Sequence, residues 1–115
     1  MCQSSWRRRL VRRMKRWLEE RFPVTFPVRV YLRPRARMPE HHGYFLMADD
    51  MERAIICLSD SLDHDALIET FAEEWAHART VWLNDEEDCD EDPWHHPTFW
   101  AEYGRITKAA RERQF

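Results

Sequence analysis

Only two of the 115 residues are glycine, and that scarcity restricts the chain more than any other single property. Tight turns with positive φ draw on glycine, so such a chain is built from helices and strands joined by short polar connections. Apolar residues make up 43%, with six Trp, six Phe and three Tyr among the aromatics. That content predicts a folded globule with a modest core, one domain over residues 1–115. No apolar run approaches the roughly 18 residues of a membrane span, and the basic N-terminus is followed by no apolar stretch of signal-peptide type. Cys2, Cys57 and Cys89 are odd in number and widely spaced, which suits unpaired thiols in a reducing compartment. A cytoplasmic protein with no membrane partner is expected.

The net charge of −3 conceals a division along the chain. Residues 1–37 carry twelve Lys/Arg against two acids, whereas residues 38–115 carry six against nineteen. A basic arm and an acidic body are therefore expected to attract each other or to serve separate partners.

Periodicity supplies the elements. Over residues 1–22, Trp6, Leu10, Met14, Trp17 and Leu18 recur at helical spacing, with Ser4 or Ser5 as cap and Pro23 as terminator. Arg7, Arg8, Arg9, Arg12 and Arg13 load the other face of this amphipathic helix. Such a face can pair with nucleic-acid phosphates or an acidic protein partner. It can equally pair with the protein's own acids, those of the 85–92 run above all. Strands are predicted within 28–60. Val28, Val30 and Leu32 alternate with Arg29, Tyr31 and Arg33 between two prolines, and two further strands meet at a turn around Asp49–Arg53. The apolar "AIICL" has the character of a central strand.

Residues 63–84 form the clearest helix, with Ser61 or Asp63 as cap and acids in its first turn. Leu67, Ile68, Phe71, Ala72, Trp75 and Trp82 make its core stripe. Glu73 and His77 then fall on the opposite face, one turn and about 40° apart. Residues 85–97 begin with "DEEDCDED", seven acids in eight residues. The run lacks the glycine and the alternate ligand spacing of a calcium loop, so a solvated flap is expected. His41 and His42, in the polar connection before the second strand, read as surface residues. A last helix is predicted over 98–113, capped by Thr98 after Pro97. The order of elements describes an α+β fold, a small antiparallel or mixed sheet against three helices.

Glu73 and His77 at helical spacing, with His95 and His96 just before the next helix, could draw metal ligands from two elements. An acidic helix face bearing a titrating histidine is the plainer reading of the first pair.

Two segments, "LIETFAEEWAHARTVWL" and "HHPTFWAEYGRITKAA", resemble the SprT-like zincin metallopeptidases and their small phage and bacterial relatives. The resemblance spans roughly residues 28–111. It implies a zincin-like fold whose central helix is the active-site helix, and hydrolysis of peptide bonds in a protein substrate by metal-activated water. It assigns Glu74 as general base, and His77 and His95 as zinc ligands. Where the family has its first histidine this chain has Glu73, so the implied metal set is Glu73, His77 and His95. A carboxylate in that place makes the bound ion a weaker Lewis acid and shifts preference from zinc towards manganese or iron. The alternative is a catalytically degenerate zincin-like module, without metal, that binds through its basic N-terminal helix. An extended substrate is expected along a strand edge within residues 44–58. Tyr103, one turn into the last helix, is a candidate oxyanion-stabilising group, although an aromatic on that helix more often belongs to the core.

Overall fold

The computed structural model describes residues 5–38, 41–50, 52–83 and 93–115. The acidic run at 85–92 lies outside the described residues. Three helices and three strands make up an α+β architecture: α1 (Ser5–Arg21), β1 (Val28–Arg33), β2 (Gly43–Met47), β3 (Ala54–Ser59), α2 (His64–Thr80) and α3 (Pro97–Arg113). Short 3-10 turns occupy Arg35–Arg37, Val81–Leu83 and Pro93–His95. No described helix is long and apolar enough to cross a membrane.

The sheet order is β1-β3-β2, so β3 is central. β1 runs parallel to it with Val28 opposite Ala54, and β2 runs antiparallel with Phe45 opposite Ile56. "AIICL" thus forms the middle of the sheet, as its apolar run predicts, and among the described residues both neighbours are edge strands. One face packs inward: Val28, Phe45, Ile56 and Leu58 join Leu10, Met14 and Leu18 of α1, and Leu67, Phe71 and Trp75 of α2, in a single core. The Trp75 indole N–H donates to the Phe22 carbonyl at 2.8 Å, so α2 and the end of α1 are pinned at a polar point inside the core.

α2 departs from the simple amphipathic reading. Glu74, Ala76, His77 and Ala78 are buried along with Phe71 and Trp75, because the sheet and α1 cover one side and α3 covers another. His77, on the face opposite the core stripe, is therefore buried, while Glu73 beside it stays partly exposed. Trp82, expected in that stripe, is exposed, because the helix gives way to a 3-10 turn at Val81. The α2 cap is Asp63, whose carboxylate accepts from the Ala66 N–H at 2.8 Å.

α3 is anchored to α2 by charge and by a cap. Glu102, buried on α3, accepts from Arg79 of α2 and from Arg105 at 2.9 Å, and Arg79 also donates to the Pro23 carbonyl. The expected cap, Thr98, is exposed one position inside the helix. The cap is His96, whose Nδ1 accepts from the Phe99 N–H at 3.1 Å, with Pro97 at the first helical position.

Gly43 is needed for the approach of β2 to α2. A Cβ there would stand 2.7 Å from Thr70 Cγ2 and 3.2 Å from the Cys57 carbonyl oxygen. Gly43→Ala is expected to push the strand off the helix and destabilise by about 1–3 kcal/mol. Urea unfolding measures this, and an unchanged midpoint would refute the tight contact.

Candidate functional site

A cleft of about 460 Å³ opens between the start of β2, the middle of α2 and the turn before α3. α2 brings Glu73, Glu74 and His77 to it, the Pro93–His95 turn brings Trp94 and His95, and Gly43, Tyr44 and Phe45 form the wall from β2. His41 stands at its rim. Glu73, Glu74 and His77 of one helix and His95 of the turn before the next thus line one space.

Within the cleft, environments differ sharply. Glu74 is 5% exposed. Burial, reinforced by the adjacent Glu73 charge, pushes its carboxyl up to about 8. His77 is 8% exposed and enclosed by rings. It stacks on Phe99 with centroids 4.2 Å apart, meets His95 edge-on at 5.0 Å and lies 5.9 Å from Trp94. His95, half-buried, stacks on Trp100 at 5.6 Å. Tyr103 stacks on Phe99 at 6.0 Å. Its phenol is pushed up by burial and then by the charges of Glu73 and Glu69, but it does not line the cleft.

His96 has a different job from its neighbour. It is fully buried, and with Nδ1 accepting from Phe99 its proton sits on Nε2, which donates to the Thr80 carbonyl at 3.3 Å. One ring therefore satisfies an orphan N–H at the start of α3 and a carbonyl at the end of α2. That anchor sets the direction in which His95 leaves the turn.

His41 and Trp94 are the cleft residues that sequence reasoning set aside or passed over. His41 lies on a polar connection and Trp94 next to the acidic run, and neither position carries a periodic signal. The arginines of α1 lie elsewhere. Arg8 and Arg12 face a groove beside β1, Arg9 and Arg13 are exposed, and Arg7 donates to the Leu62 carbonyl at 2.7 Å.

Two imidazoles beside two carboxylates form a donor set suited to a divalent ion of zinc type. Among the described residues, no three His, Cys, Asp or Glu side chains already converge on one point. The fit is one of donor chemistry and shared location, short of a ready-made triad.

No family model, curated protein or solved structure matches this chain.

Proposed function

We propose that this chain is a metal-dependent peptidase of SprT-like type, acting on an extended protein or peptide substrate. The observation that carries the reading is the gathering of Glu73, Glu74, His77 and His95 in one cleft beside the open edge of β2. Glu73, His77 and His95 would hold the ion, zinc or a harder relative such as manganese or iron. When bound, the ion supplies Lewis acidity to the peptide carbonyl and to water.

The protein's own groups carry the proton and the substrate. Glu74 takes the proton from the attacking water and returns it to the departing amine nitrogen. Without a metal this carboxyl is raised to about 8; a cation bound beside it would lower it again, which suits proton exchange near neutrality and alternation between base and acid. Among the described residues no strand pairs the outer edge of β2, so that edge can pair an extended chain by backbone hydrogen bonds; the Gly43–Phe45 segment is part of the cleft wall, and a chain held there would pass the carboxylates.

A second reading is favoured by one observation, the exposed arginines of α1, of which Arg8 and Arg12 face a groove beside β1 away from the cleft. In it the cleft is catalytically silent, and the protein binds nucleic acid or an acidic partner through the arginines of α1.

Calorimetric titration with zinc, manganese and ferrous ions separates the two readings. The peptidase reading expects one ion bound per chain at micromolar or tighter affinity, roughly tenfold or greater weakening in His77→Ala, and cleavage of a labelled unfolded protein. Glu73→His should hold or strengthen zinc binding, because imidazole replaces a carboxylate in the same reach. Absence of binding, with a melting temperature indifferent to chelator, would leave the silent-cleft reading standing.

A further inference from the structure

Among the described residues, the sheet's outer face, turned away from the core, touches the cleft at Tyr44. Strand alternation and register place Arg29, Ile55 and Leu46 in one row across it, and Tyr31, Cys57 and Tyr44 in the next. The two tyrosines flank Cys57 at two strand spacings, about 10 Å. Leu46 and Ile55 are left 54% and 39% exposed. A depression of about 660 Å³ runs over them, also lined by Arg29, Tyr31 and Arg53. The Arg33 guanidinium lies 4.8 Å from the Tyr31 ring centroid, which steadies the ring and adds another cation beside it.

Around the β1 edge a second groove, of about 520 Å³, lies between that strand and α1. Arg8, Arg12 and Lys15 line it from the helix, and Arg29 and Tyr31 from the strand. Arg29 and Tyr31 line both hollows, so the two form one continuous surface. Among the described residues, Arg8, Arg12, Lys15, Arg29 and Arg53 line it and no Asp or Glu does. Lys15 pairs with Glu19 at 3.8 Å and Arg53 with Asp50 at 3.7 Å. Both pairs are solvent-exposed and readily exchanged for a phosphate.

Charge alone would suit any polyanion; the rings and aliphatic groups beside it narrow the choice. A duplex keeps its bases stacked inside, whereas an unpaired strand offers their faces to aromatic and apolar side chains while its phosphates follow a basic groove. An anionic membrane would call on the apolar side of α1, but Leu10, Met14 and Leu18 are committed to the core.

We propose that a single-stranded nucleic acid binds across the outer face of the sheet, its phosphates along Arg8, Arg12, Lys15 and Arg29 and its bases against Tyr31, Leu46 and Ile55. The proposal shares the α1 arginines with the second reading above and names its partner; it is independent of metal and of Glu74.

The test is fluorescence anisotropy with a labelled oligothymidylate of about 12 nucleotides, long enough to cross both grooves. Binding is expected at low salt, weakening roughly 50- to 130-fold between about 50 and 200 mM as four or five phosphate contacts are screened. Tyr31→Ala should lower affinity at least about fivefold, and Tyr31→Phe should restore it, since the ring and not the hydroxyl makes the contact. Arg29→Glu, at an exposed position that leaves the core intact, should lower affinity and flatten the salt dependence. Loss of binding in Arg12→Glu with no effect of Tyr31→Ala would overturn the base platform while leaving the arginine reading of α1 in place. No binding at low salt, preference for anionic vesicles or an acidic peptide, or self-association abolished by Leu46→Asp would each overturn the proposal.

Discussion

Glu74→Gln is expected to lower metal-supported peptide hydrolysis by roughly 10²- to 10⁴-fold, the contribution typical of a positioned general base. The same substitution should change how the metal-free protein responds to pH. In the fold, burial and the Glu73 charge raise the Glu74 carboxyl from its ordinary 4.5 to about 8. Between those two values the folded protein holds a proton that the unfolded chain has released. Its stability therefore falls as pH rises, by about 1.4 kcal/mol per unit from this group. The contribution is complete below the ordinary carboxylate value and is lost as pH passes through about 8. Glutamine cannot ionise, so the variant should lose this slope and gain on the native protein towards alkaline pH. Urea unfolding at pH 5, 6.5 and 8 in chelator (values chosen to span that window) measures the difference. Parallel curves for the two proteins would refute the buried, proton-holding carboxyl.

The other large effect is expected at His96. His96→Ala removes the acceptor for the Phe99 N–H and the donor to the Thr80 carbonyl, and leaves a void where a fully buried ring stood. Loss of a cap, an unsatisfied buried carbonyl and a cavity together amount to about 3 kcal/mol. His96→Asn can still accept from Phe99, so about 1 kcal/mol should return. Equilibrium unfolding distinguishes the three proteins. Equal stability of the alanine and asparagine variants would show that the cap contributes nothing. Because the ring also fixes where His95 leaves its turn, His96→Ala should weaken any metal binding in the cleft along with stability.

The contrast between these two residues shows where the sequence was readable. β3 could be recognised as central from five consecutive apolar residues, and the α2 cap narrowed to Ser61 or Asp63 from their place before an apolar stripe. His77, paired with Glu73, looked like a member of a solvated face because periodicity on one helix marks only the direction of its strongest apolar stripe. It does not reveal a second helix arriving on another side, and α3 does so here. Thr98 looked like the cap because hydroxyls are common there. The imidazole that takes the role is chosen by a carbonyl sixteen residues away, Thr80, which no local pattern contains. His41 and Trp94 reach the cleft through the tertiary fold alone. The alternating Arg29, Tyr31 and Arg33, by contrast, identified one sheet face as polar and aromatic from the strand itself.

The sheet order also bears on how the chain reaches its fold. β2 and β3 are joined by a short turn and pair antiparallel, whereas β1 must find β3 in parallel across some 26 positions, Val28 to Ala54. Closing the short loop sacrifices less chain entropy, so the hairpin and α2 are expected to assemble first. The N-terminal third, with most of the protein's positive charge, then docks against that acidic nucleus as the final strand of the sheet.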